Sequence, residues 1–137
     1  MRKTPGLLII VVAVLALGIP AVACQSSPSA HPDESLIRQY ADSATEVCLH
    51  GLSEGDLEKY TQHANDDFKA AVTQEMVNTA ATQLENQLGS FKSIEFLSID
   101  QDEDYTIVHY RATYASGDVG VRMVFDRDQL IAGQWFE

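Results

Sequence analysis

Tyr105–Asp126, YTIVHYRATYASGDVGVRMVFD, holds the key to the fold. Apolar and polar residues alternate on both sides of Ser116-Gly117, the period of two that a half-buried strand requires, and the Ser-Gly-Asp break marks where such a ribbon turns back. With Ser116-Gly117 as a two-residue turn, Tyr114 pairs with Val119, Ala112 with Val121, Tyr110 with Met123 and Val108 with Phe125, which makes one face almost wholly apolar. The opposite face then carries His109, Arg111, Thr113 and Arg122, with Arg111 and Arg122 as cross-strand neighbours.

Two further β-rich runs flank this hairpin, Ser93–Asp100 (SIEFLSID) and Leu130–Phe136 (LIAGQWF), set off by DQDED and RDQ turns. A three-residue loop with Gln129 at a left-handed bulge position pairs Phe125 with Ile131, Met123 with Gly133 and Val121 with Trp135. A two-residue loop would instead turn Ile131, Gly133 and Trp135 outward. Upstream of Gly89 the period is helical. Leu36, Ile37, Tyr40, Ala44, Val47, Cys48 and Leu52 form one amphipathic stripe, with Gly51 weakening its end. Ser53-Glu-Gly-Asp56 opens a short second helix with Leu57 and Tyr60 inward, and Asn65-Asp66-Asp67 breaks the pattern before an apolar turn at Phe68, Ala71 and Val72. Thr73 caps a third helix with Met76, Val77, Ala80, Ala81, Leu84 and Leu88 as its stripe and Gly89 as its stop. Helices first and a strand meander second mean an α+β domain, three helices packed on one face of a four-stranded antiparallel sheet.

The amino end carries a different message. Arg2 and Lys3 precede thirteen residues without a polar side chain, Leu7–Ile19, ending at Pro20, and this is the build of a secretory signal over residues 1–23. The run is short for a bilayer span, and Pro20 would break a spanning helix. Ala21-Val22-Ala23-Cys24 reads either as a general signal-peptidase site or as a bacterial lipobox with Ala21 where Leu is usual. Gln25–Pro32 (QSSPSAHP) has no apolar periodicity and forms, with Cys24, a flexible tether of residues 24–32; its eight residues span at most ~26–29 Å. A Cys before a tether is what a lipid anchor needs, so Cys24 is the expected lipidation site, the membrane the expected partner through that lipid, and the location extracytoplasmic. Residues 33–137 are then a single domain.

The whole chain has 137 residues, with 20 Asp+Glu against 9 Lys+Arg for a net charge of −11, and this excludes nucleic acid as a partner because phosphate backbones require clustered cations. With Cys24 lipidated, Cys48 has no partner and reads as a small buried apolar residue. Asp100, Asp102 and Asp104 alternate like the first ligands of a calcium loop, but Tyr105 and Arg111 stand where that loop needs Gly and Glu, leaving a solvated acidic turn. The four His show no HxH or HExxH spacing, there is no Gly-rich phosphate loop and no G-x-S-x-G elbow, so no metal or other cofactor is implied.

From Leu49 onward the chain resembles the bacterial and archaeal family called domain of unknown function 3887. The resemblance rests on the L-x-x-G-D-x-E-K-Y-type stretch Leu52–Tyr60, the Q-L-G-x-F-K turn Gln87–Lys92 and the ending V-F-D-R-D-Q-L-I-A-G, Val124–Gly133. It implies a SnoaL-like, ketosteroid-isomerase-like cone, in which a curved antiparallel sheet wraps a long helix and leaves a pocket. It carries over no activity.

A cone enzyme needs a carboxylate base facing the pocket and a hydroxyl to hold an oxyanion. Tyr110 and Tyr114 could supply the hydroxyl, but no acid is visible on their face, and Asp42 and Glu46 lie off the helix stripe, so no catalytic residue is assigned. The candidate pocket residues are Tyr40, Tyr110, Tyr114, Met123 and Trp135; His109, Arg111 and Arg122 form the one basic spot, a candidate anion contact. The expectation is a noncatalytic module that binds a small apolar ligand or an envelope protein. The alternatives are an isomerase- or cyclase-type cone enzyme and a spacer that interacts through its sheet.

Overall fold

In the computed structural model, residues 32–137 are described; the expected signal segment, Cys24 and the expected tether up to His31 lie outside the described residues, while Pro32, expected as the tether's last residue, begins the first helix. Helix α1, Pro32–Glu54, buries Ala41, Ala44, Cys48, Leu49 and Leu52, while Leu36 and Val47 border that stripe rather than belong to it. The helix continues through Gly51, contrary to the expected weak end. Gly51 is there for space: a Cβ on it would lie 2.7 Å from the Lys59 carbonyl carbon and from Tyr60 Cα, so α2, Leu57–Tyr60, folds back directly onto α1. Asp56 caps α2 by accepting the Lys59 N–H at 3.0 Å. The apolar turn after Asn65 is itself a short helix, α3, Asp66–Ala71, with Asn65 accepting the Phe68 N–H at 2.9 Å. Thr73 caps α4, Gln74–Leu88, as its spacing predicted, and Gly89 ends it at a positive φ of 76°. Val77 and Leu84 of α4 face the core; Met76 is exposed.

Four antiparallel strands follow in chain order: β1 Phe91–Asp102, β2 Tyr105–Tyr114, β3 Gly117–Phe125 and β4 Ile131–Phe136. The predicted inner face is the observed one. Val108, Tyr110, Ala112, Val121, Met123 and Phe125 are fully buried beneath the helices, and Tyr114 is nearly so.

The register of the β2–β3 hairpin differs from the expectation by two residues. Tyr114 pairs with Gly117, Ala112 with Val119, Tyr110 with Val121 and Val108 with Met123, so the turn is Ala115-Ser116. The α4–β1 joint sets it there: the Ala115 N–H donates to the Ser90 carbonyl at 2.9 Å and the Ser116 N–H to the Leu88 carbonyl at 2.8 Å. A shift of two keeps every side chain on its face but separates the arginines, since Arg111 now faces Gly120 and His109 faces Arg122.

The last hairpin begins as expected, with Gln129 at φ 63° and Phe125 opposite Ile131. A register shift then leaves Ala132 as the extra residue, so Val124 faces Gly133, Arg122 faces Trp135 and Val121 faces Phe136, instead of Met123 with Gly133 and Val121 with Trp135. The bulge turns Trp135 to the outer face, out of the expected pocket. It arises where β4 is gripped from its other side: Ile131 donates to the His63 carbonyl at 2.8 Å and its carbonyl accepts from Asn65 at 2.9 Å.

Asp126 holds this turn together. Its carboxylate accepts the Asp128 and Leu130 N–H groups at 3.0 Å each and the Asn65 side-chain amide at 2.9 Å. Burial works to raise its pKa, but the bonds from Asn65, Leu130 and Asp128 outweigh burial and hold the carboxyl below its usual range. The unfolded chain therefore binds this proton more readily, and the stabilisation, complete above the ordinary carboxylate value of about 4, is lost as pH falls through the lower folded value. Asp126→Asn should flatten that acid limb, with urea midpoints measured from neutral pH downward as the check; an unchanged limb would contradict this role.

Candidate functional site

The expected pocket interior is filled. Tyr110 and Met123 are completely buried, and Tyr114 packs its ring edge-on to Phe91 at 5.5 Å, its hydroxyl pushed up to about 12 by burial. Burial also raises the Cys48 thiol far above its usual range, so it is no nucleophile at neutral pH.

An acid does reach Tyr110, correcting the expectation that none would. The Tyr110 hydroxyl donates to Asp42 Oδ1 at 2.8 Å, and Asp42 Oδ2 accepts from Arg38 Nη2 at 3.0 Å. Burial and then the bond to Asp42 push the Tyr110 pKa up, so the phenol stays protonated. Asp42 is on the flank of α1, and the length of the tyrosine brings its hydroxyl out to that flank. Residue spacing along the helix alone does not reveal this meeting.

The open space lies at the amino end of α1. A cleft of about 540 Å³ is walled by Leu36, Ile37 and Tyr40 from the helix and by residues of the β1–β2 and β3–β4 turns. Tyr40 is thus the expected pocket residue that lines an opening, its ring edge-on to Phe125 at 5.3 Å. Beside the cleft, a groove of about 450 Å³ runs between α1 and β1, sharing Asp33, Ile37 and Gln101 with it. A smaller apolar crevice of about 230 Å³ separates α4 from β4, with a Tyr60 hydroxyl to Gln134 Oε1 bond of 3.0 Å at its wall.

The residues of the expected basic spot occupy the outer face, each beside a carboxylate. Arg111 meets Glu95 at 2.8 Å. His109 lies 3.2 Å from Asp100 and 3.4 Å from Glu137, and Glu137 also stands 3.6 Å from Arg122 Nε. The Arg122 guanidinium sits 4.7 Å from the centre of the Trp135 ring, which is 47% exposed. Asp104 is likewise engaged, by Arg127. Among the described residues no group of three His, Cys, Asp or Glu could hold a metal ion, and no helix is long and apolar enough to cross a membrane.

Among the described residues, a 23-residue helix and three further helices followed by a four-stranded antiparallel meander make an α+β cone of the NTF2-like fold. The chain belongs to the DUF3887 family, proteins of unknown function, whose model matches residues 45–133. It is similar to a protein from Ruminococcus gnavus known from an NMR structure, at 20% identity and a TM-score of 0.53 over 75% of this chain and 90% of that one. It is also similar to a putative NTF2-like transpeptidase from Campylobacter jejuni, at 13% identity and a TM-score of 0.50 over 69% of this chain and 94% of that one. These likenesses establish the fold alone. No curated protein matches the chain.

Proposed function

We propose that the protein is a noncatalytic extracytoplasmic module, held to the membrane by lipid on Cys24, that takes a small apolar ligand or an apolar segment of an envelope protein in the cleft at the start of α1. The observation that carries this reading is the contrast between a cone interior filled by Val108, Tyr110, Val121, Met123 and Phe125 and an open cleft that exposes 61% of Leu36. The cleft adjoins the point where the Ser/Pro-rich tether meets the domain, so an anchor at Cys24 keeps it within a tether's length of the membrane.

The Asp42–Tyr110 contact favours a second reading, a cone enzyme in which a carboxylate and a hydroxyl act together on one substrate. In this chain the two groups bond to each other, Arg38 engages the second carboxylate oxygen, and Tyr110 is completely buried, so its hydroxyl is closed off from a substrate. Binding is the reading the geometry supports better.

Cys24→Ser in the full chain tests the anchor. The expected result is release from the membrane fraction with unchanged thermal unfolding, because lipid supplies the affinity and an acidic domain supplies none. A variant still in the membrane fraction contradicts lipid attachment at Cys24. The cleft is tested with Nile red, whose emission should rise on wild-type protein and fall about tenfold in affinity on Leu36→Asp, an exposed position that leaves the core alone. Equal emission from both proteins contradicts the cleft as the binding site.

A further inference from the structure

The sheet has two edges, and they are treated differently. The outer side of β4 is bracketed by the 63–65 segment, with an isolated parallel bridge between Ala64 and Ile131. The outer side of β1 has no strand partner among the described residues, although β1 is the longest strand at 12 residues. A bulge between Phe96 and Ser98 leaves Leu97 unpaired and 46% exposed. Bulges of this kind interrupt edge pairing, which leaves Ser98–Asp102 as the regular stretch, about the usual length of a strand.

The groove between α1 and β1 runs along that stretch. Its walls are apolar where Ile37, Phe96, Leu97 and Ile99 meet, and acidic at Asp33 and Glu34, with Glu103 at the rim of the adjoining cleft. None of these three carboxylates has an ion-pair partner among the described residues, whereas Arg127, the arginine lining the cleft, is already held by Asp104.

From this juxtaposition we infer that the groove takes an extended basic peptide segment of an envelope protein. The peptide's backbone continues the sheet on Ser98–Asp102. One apolar side chain seats between Ile37 and Ile99, and Lys or Arg side chains on either side of it meet Asp33, Glu34 and Glu103. Strand addition of this type draws affinity from main-chain hydrogen bonds and specificity from alternate side-chain pockets. Charge selects the occupant. A second copy of the chain paired on the same stretch would bring Asp100 and Asp102 of one β1 near those of another, on chains whose sequence carries a net charge of −11. An anionic lipid surface meets the same repulsion.

The inference rests on binding at the amino end of α1, where groove and cleft adjoin, and adds the identity of what binds along the groove. The test is fluorescence anisotropy of the full chain with a labelled peptide alternating Lys or Arg with Val, its Glu-for-Lys/Arg counterpart, and a version N-methylated at alternate amides. The expected result is binding of the basic peptide at least about tenfold tighter than either of the others, weakened a further tenfold by Asp33→Lys with Glu34→Lys and lost at about 0.5 M salt. Equal affinity for the basic and acidic peptides overturns the charge selection, and equal affinity for the methylated peptide overturns strand addition. If Nile red binds through Leu36 while no peptide binds, the peptide inference falls and the cleft stands. If neither binds, both fall.

Discussion

Phe125→Ala should cost about 3–5 kcal/mol of folding stability, the usual loss for removing a buried phenylalanine and leaving a cavity. Phe125 has no exposed surface, lies at the end of β3 opposite Ile131, and carries the edge-on ring of Tyr40. It therefore joins the sheet to the first half of α1, and neither the helix backbone nor the paired strand can collapse far into the space its ring would vacate. The urea midpoint should fall with little change in slope, since the same surface unfolds. A midpoint within experimental error of wild type would mean that the inner face has been assigned to the wrong side of the sheet.

Gly51→Ala should be comparably damaging, by about 3 kcal/mol, at the upper end of what overpacking usually costs. The reason is opposite in kind. Helix propensity alone would make alanine the better residue here. The added methyl meets the backbone of Lys59 and Tyr60, which cannot rotate away as a side chain can, so α2 must lift off α1. Lifting α2 draws Tyr60 away from Gln134 and breaks the hydrogen bond that links the short helix to β4. A thermal melt is the direct check, and a variant as stable as wild type or more so would show that α2 moves freely on α1.

Gly51 also illustrates what the chain's pattern alone discloses. Read locally, a glycine near the end of an amphipathic stripe marks a weak terminus; only the approach of α2 shows why the helix runs on to Glu54. The class of fold was legible because periods of 3.6 and 2 are properties of neighbouring residues, and the inner face followed from the alternation in β2 and β3. The turn between them was misplaced by one residue, and the register therefore by two, because the carbonyls that set it, Leu88 and Ser90, lie outside the hairpin. Trp135 changed face because of a bulge imposed by contacts from His63 and Asn65. Site geometry was less legible for the same reason. Asp42 and Tyr110 are 68 positions apart, and the cleft gathers α1, the β1–β2 turn and the β3–β4 turn. Tyr40 could be found from its place on the helix stripe, but nothing in the spacing of Asp33, Glu34 and Glu103 indicates that the fold brings them to an adjoining groove and cleft.

The central claim is that binding occurs at the mouth beside α1 and not inside the cone. The most direct measurement is the ¹H–¹⁵N correlation spectrum of the full chain titrated with the basic alternating peptide. The account predicts shifts concentrated in Asp33–Tyr40 and Ser98–Thr106, with Val121–Phe125 and the residues around Tyr110 unmoved. Shifts centred on Tyr110, Met123 and the inner face of β3, with the start of α1 unchanged, would contradict it.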